Sequence, residues 1–320
     1  MTARSVARFL AVRLVFGLVV LYVVSSLVFL FVHIAPGSPE QALVTGSTAT
    51  PEVIDAIRDR YRLDEPIHVQ YASYLRQVVE LDFGESYRTR EPVVDAVGDR
   101  LGVTVPLMTF GFLVTVVLGG ALGALAAYRQ GGALDRAISA GSILFASSPP
   151  FALAILFLFV FAESLGWFPV IGEWSGPAEA IRHLTLPAVT LGLAGTAPMM
   201  MIVRTSMVDT LERDYVLFAR ARGLSEWWIF LHHVLRNSLV AAATAAGVVL
   251  VGMLAAVAFV EIPFNLDGLG AYLLESVVTQ DVPVIQTLTL LTTAVILLIN
   301  MVIDFTYAAV DPRIELGADR

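Results

Sequence analysis

Six predominantly apolar runs, each about twenty residues or longer, constrain this chain more than anything else in it. They cover about Leu14–Ile34, Val103–Tyr128, Ala137–Phe161, Leu186–Met207, Ser238–Ile262 and Val284–Ala309. At a rise of about 1.5 Å per residue, a helix of roughly twenty residues crosses the hydrocarbon core of a bilayer. Lipid offers no partner to backbone N–H and C=O groups, so runs of this kind must close their hydrogen bonds within themselves, as helices. Hydrophobic residues make up 57% of the chain and mean hydropathy is +0.77, above the roughly 45–50% apolar share of ordinary soluble domains. The expected fold class is an all-α polytopic membrane protein, with six transmembrane helices and a small extracytoplasmic helical region after the first span.

What is missing excludes whole classes of chemistry. Cysteine is absent, which removes disulfides, thiolate metal sites and cysteine nucleophiles. Every basic residue is Arg, and a chain without Lys cannot carry a Walker A phosphate loop, whose Lys reaches the nucleotide phosphates. Any ATP chemistry must then reside in another polypeptide. No Ser, His or Asp falls in a convincing catalytic motif, and His232-His233 lacks acids or Cys at ligand spacing, so no metal site is expected. No nucleic-acid partner is expected, and the bilayer itself is the medium.

The chain divides into 1–34, an N-terminal tail with the first span; 35–100, an extracytoplasmic region; and 101–320, a five-span core that includes a polar stretch at 208–237. The first run is too long for a signal h-region of about 7–15 residues, and it is expected to stay as an uncleaved span. Between Glu40 and Arg100, Pro51 opens one helix with Val53, Ile54, Ile57 and Tyr61 on its apolar side, and Val69, Tyr71, Tyr74, Leu75 and Val78 mark a second. Packing onto the membrane domain is the expected duty of these aromatics. Arg is concentrated at Arg4, Arg8, Arg13, Arg129, Arg136, Arg204, Arg213, Arg220, Arg222, Arg236, Arg313 and Arg320, whereas the short connections on the other side carry only Arg182. By the positive-inside rule both termini and the 208–237 stretch are cytoplasmic. The outer face is acidic, with twelve acids against seven Arg between Glu40 and Arg100, and Glu261, Asp267, Glu275 and Asp281 without a base in the last outer loop.

The polar stretch around Asp209–Asn237 reads as helix, glycine break, helix. Asp214 to Arg222 forms about two turns, with Tyr215, Phe218, Ala219 and Arg222 at helical spacing on one side. Gly223 suits a left-handed C-terminal residue, Ser225 an N-cap, and Glu226 the positive end of a new helix. Within the spans, Pro149 and Pro150 kink or break the third. Gly119-Gly120 and Gly123 permit close helix approach. Asn300 and Asp304 share a face of the last span, where a structural role is expected, with Arg13 or a partner subunit as counterpart.

Asp214-Tyr215-Val216, Ala219-Arg220-Ala221-Arg222-Gly223-Leu224-Ser225 and His233-x-Leu-Arg236-Asn237 resemble the cytoplasmic coupling loop of ABC importer permeases of the dipeptide, oligopeptide and nickel class, in their first-permease or B-type subunit. Further matches follow in the family's order. They include His33-Ile-Ala-Pro36-Gly37, Leu81-Asp82-Phe83-Gly84-Glu85-Ser86-Tyr87, Ser148-Pro149-Pro150-Phe151, Leu165-Gly166-Trp167-Phe168-Pro169-Val170-Ile171-Gly172, Phe264-x3-Gly268-Leu269-Gly270, Asp281-x-Pro283-Val284-x-Gln286 and Asn300-x3-Asp304-x2-Tyr307-x3-Asp311-Pro312-Arg313. Leu217 stands where the broader loop motif has Glu, and Arg222 where this subfamily has Lys; the second exchange keeps the charge but replaces a compact ammonium with a planar fork.

The resemblance implies a transport subunit and not an enzyme. It implies alternating access by two homologous permease subunits, two ABC ATPase subunits on the cytoplasmic loops, and an extracytoplasmic binding protein that delivers solute. ATP and Mg would belong to the partner ATPase, with no cofactor in this chain. The ATPase-coupling residues it implies are Asp214, Tyr215, Phe218, Ala219, Arg220, Arg222, Gly223 and Leu224; the residues that bind solute are unknown. Peptides, dipeptide or oligopeptide, are the expected cargo, with nickel complexes, glutathione or oligosaccharides as alternatives within the family. An ion-driven secondary transporter is the rival class, and it calls for paired intramembrane charges and an inverted repeat that the chain does not clearly show.

Overall fold

The computed structural model describes residues 3–34, 65–169 and 176–310. In chain order these form α1 (Ala3–Ile34), α2 (Ile67–Glu80), α3 (Val93–Tyr128), α4 (Ala133–Ala146), α5 (Pro150–Phe157) with a π-helical extension (Leu158–Ser164), α6 (Pro177–Leu211), α7 (Asp214–Ala221), α8 (Glu226–Ile229) with a second π-helical segment (Phe230–Leu235), α9 (Arg236–Ala256), α10 (Ala258–Glu261), α11 (Leu269–Thr279) and α12 (Val282–Val310). Among the described residues the only extended pairing is a single bridge between Glu85 and Pro92. Five helices are long and apolar enough to cross a membrane, and the bent pair of α4 with α5 and its extension makes a sixth if it counts as one span. The expected helix at 51–61, the first-span exit at 36–37, the 170–172 segment and the 311–313 motif lie outside the described residues.

The third span is not one rod. α4 and α5 meet at an angle of 99°. Pro149 is extended, with φ −58° and ψ 137°, as a residue before a second proline must be, and Pro150 takes the first helical position, where its missing N–H costs nothing. α3 and α6 begin well before their apolar runs. α3 starts at Val93 because Val93, Ala96 and Val97 are buried before the apolar run begins. α6 starts at Pro177, with Gly176 as its cap and Glu179 in the first turn against the helix dipole.

The chain divides into two compact units, Met1–Gly102 with Ala271–Leu298, and Val103–Gly270 with Ile299–Arg320. In the first, α2 packs its apolar face against α1. Phe29 stacks on Tyr74 with ring centroids 5.6 Å apart and meets Tyr71 at 5.1 Å, with Leu290 of α12 in the same cluster. Burial without a hydrogen-bond partner pushes the Tyr74 phenol up to about 12. The 81–92 segment is tied to the start of α12 by Asp281, whose carboxylate accepts the Ser86 hydroxyl at 2.5 Å and the Tyr87 N–H at 3.1 Å. Arg88 pairs with Glu275 at 2.6 Å, and the Arg100 guanidinium lies 4.0 Å over the Tyr272 ring.

In the second unit, α6 is the central helix, with Leu191, Met200 and Val203 among its buried side chains. Its seam with α3 is built of small residues. A Cβ on Gly192 would sit 2.6 Å from the Gly111 carbonyl, and one on Gly123 would sit 2.8 Å from that of Met200. The Thr115 hydroxyl donates across the seam to the Gly192 carbonyl at 2.8 Å. Arg204 of α6 grips Asp135 of α4 with two bonds of 2.6 and 2.7 Å, and Asp135 also accepts the Gly131 N–H. Of the four acids expected on the last outer loop, Asp267 and Glu275 are exposed. Glu261 and Asp281 are buried instead, because each carboxylate serves as a hydrogen-bond acceptor for other parts of its own unit.

Candidate functional site

The connection between α6 and α9 is held by very little buried surface. α7 rests on Val216 and Ala219, three residues apart and so on one face, and with Ile229 of α8 they form a separate small cluster. The expected single-sided grouping therefore divides. Ala219 faces inward, while Tyr215, Phe218 and Arg222 are exposed. Val216, not the aromatic at 218, is the inward anchor, since a small cluster beneath an eight-residue helix has room for Val and Ala.

Gly223 ends α7 at φ +76°, and Leu224 donates back to the Ala219 carbonyl at 3.3 Å. This is the left-handed helix termination that favours Gly. No atom lies within 4 Å of where its Cβ would stand, so the demand for Gly comes from the backbone and not from space. Ser225 caps α8, its hydroxyl accepting the Trp228 N–H at 3.3 Å. Arg220 forms a two-pronged pair with Glu226 across this break, at 2.8 and 3.1 Å, which fixes the angle between α7 and α8.

The outward face is apolar and aromatic. Phe218 is 70% exposed, Trp227 59% and Leu217 53%, and Leu224, Trp228 and Leu231 are also exposed. Leu217 stood out in the sequence only as a departure from the loop motif, and the tryptophans did not stand out, although two consecutive Trp soon after an N-cap are a signal for such a face. Behind this face, Tyr128 at the end of α3 meets Trp227 and Phe230 at 5.9 and 5.2 Å. His232 stacks on Trp228 at 4.5 Å, and His233 lies 5.9 Å from Tyr215. Tyr215 is also tied to α9, its hydroxyl accepting from Asn237 at 2.9 Å. Asp214 and Tyr215 form one wall of an open groove of about 1090 Å³, shared with Asp209, Arg213 and Asn237.

The other singled-out residues stand apart from this face. Pro149 and Pro150 make the break between α4 and α5. Asn300 is exposed on α12, and Asp304 one turn later is half-buried. No group of three or more His, Cys, Asp or Glu capable of holding a metal occurs among the described residues.

A family described as the binding-protein-dependent transport system inner membrane component matches residues 119–316, and the family of that component's N-terminal part matches residues 6–108. The chain belongs to this family. It is an ABC importer permease and a multi-pass membrane protein. The glutathione transport system permease protein GsiC of Escherichia coli (strain K12) is 39% identical over 295 residues, 92% of this chain and 94% of the relative. The same-named protein of Salmonella choleraesuis (strain SC-B67) gives the same identity and coverage. A protein of Brucella suis biovar 1 (strain 1330), named as a peptide permease, is 36% identical over 312 residues, 95% of this permease and 98% of the relative.

Proposed function

We propose that this permease forms half of a membrane pathway for short peptides and that the exposed face of α7 and α8 docks on a separate ABC ATPase in the cytoplasm. One observation carries the docking face: Phe218, Leu217 and Trp227 point outward from a connection rich in charge. Large exposed aromatics on an otherwise polar loop mark interaction sites. The Arg bias of the same stretch supports a cytoplasmic position. Phe218 and Leu224 would enter a groove on the ATPase with Tyr215 beside them, while Asp214 and Arg222 offer charge at the rim. Arg220, engaged with Glu226, supports the shape of the loop rather than reaching across. Ala219 seats α7, and Gly223 sets the turn.

In this reading ATP and Mg bind the partner, a second homologous permease completes the pathway, and an extracytoplasmic binding protein supplies solute. A peptide cargo rests on the names of the relatives, since glutathione is itself a short peptide. Replacing Phe218 with Asp is expected to weaken ATPase association by about 2 kcal/mol, roughly thirtyfold, measured by copurification from membranes. Undiminished copurification and uptake would refute the docking face. Mass spectrometry of solute retained by the cognate binding protein tests the cargo: a short peptide is expected, and a sugar or metal chelate would overturn it.

A further inference from the structure

Glu261 is completely buried, yet it is a carboxylate. The chain folds tightly around it. Its main-chain carbonyl accepts the Leu266 N–H at 2.9 Å, and a Cβ added to Gly268 would fall on its carboxyl group. A Cβ on Gly270 would lie 2.7 Å from the backbone of Ala258. The Thr104 hydroxyl, from α3, donates to Glu261 Oε1 at 2.6 Å and accepts the Leu269 N–H at 2.8 Å. One hydroxyl thereby joins α3 to both ends of the 261–269 turn.

The other end of α3 is placed just as specifically. Tyr128 lies against Trp227 and Phe230, 24 residues beyond Thr104, or about 36 Å along a helix. Between the two ends, the glycine seam packs α3 closely against α6, and α6 is followed after two residues by α7. Through the Tyr128 contacts a displacement of α8 reaches α3, and along α3 it reaches Thr104. A buried carboxylate is suited to receive such a displacement. An apolar contact loosens gradually, whereas a buried carboxyl group that loses a hydrogen bond must find another, so the turn holds one seat or moves to another.

We propose that Glu261 and Thr104 are positioning residues of the transport cycle, passing movement of the ATPase-docking loop to the 261–269 turn at the outer mouth. This rests on the docking and orientation proposed above. The test uses the full importer in vesicles, with its partner permease, ATPase and binding protein, and measures solute taken up per ATP hydrolysed. Thr104→Val and Glu261→Gln are expected to lower that ratio about tenfold, within the range of coupling between distant sites, with ATPase copurification unchanged. Thr104→Ser is expected to keep it. An unchanged ratio in Thr104→Val would overturn the inference, as would uptake and hydrolysis falling together in proportion to assembled complex. ATP-independent uptake by the wild-type assembly would remove the ATPase reading itself, a result distinct from either of these.

Discussion

Two connections in this permease invert each other's chemistry. Between α6 and α9, apolar side chains point outward, with Phe218 at 70% exposure. Between α9 and α12, two of the four acids point inward, with Glu261 at 0% and Asp281 at 3% exposure. The second connection completes its own interactions, since each buried acid finds donors within its own unit. The first is folded in outline, by a glycine turn, a cap and one ion pair, but leaves its largest apolar groups uncovered. Burial of apolar surface contributes about 25 cal/mol per Å², and here that contribution is withheld from folding; in the proposed docking it is available to the ATPase.

Substitutions at three positions would break or sharpen this contrast. The largest effect on stability is expected from Asp281→Ala, which removes the acceptor of the buried Ser86 hydroxyl and of the Tyr87 N–H. A loss of about 2–4 kcal/mol should appear as a lowered thermal midpoint in detergent; a loss under about 0.5 kcal/mol would mean the inward acids hold nothing. Gly223→Ala should cost about 1–2 kcal/mol, the penalty for placing a Cβ at φ +76°. Gly223→Asn should recover part of it, and identical midpoints for the two variants would put the demand for glycine elsewhere. Leu217→Ser should change the midpoint by less than about 0.5 kcal/mol while weakening ATPase copurification. A clear loss of stability there would show that the outward face is part of the fold.

The spans were legible because twenty-residue apolar runs admit few alternatives. So were the left-handed Gly223, the Ser225 cap and the break at Pro149-Pro150, where the local chemistry of one or two residues decides the backbone. Legibility ended where partners are distant in the chain. Asp82–Tyr87 and Asp281–Gln286 were visible as two separate motifs, but nothing local says that Ser86 donates to Asp281. Gly119 and Gly120 look equivalent in the sequence, yet a Cβ on Gly119 would press on Met199 and one on Gly120 would meet open space. The inward turn of Glu261 was likewise hidden, because an acid in an outer loop reads as surface until Thr104 is seen beside it. On α7, helical spacing grouped Ala219 with Tyr215, Phe218 and Arg222, whereas the buried pair is Val216 and Ala219, because spacing alone does not say which side faces the small cluster beneath.

The tie between Ser86 and Asp281 also sets a timetable. The two residues are 195 positions apart. At synthesis rates of about 5–20 residues per second, Asp281 is made roughly 10–40 s after Ser86. Throughout that interval the bonds of the Ser86 hydroxyl and the Tyr87 amide to Asp281 are unmade, and the Phe29–Tyr74 cluster lacks Leu290. The part of the permease that is translated first is therefore among the last to be finished, and a nascent chain stalled before α12 would present it to quality control in its open form.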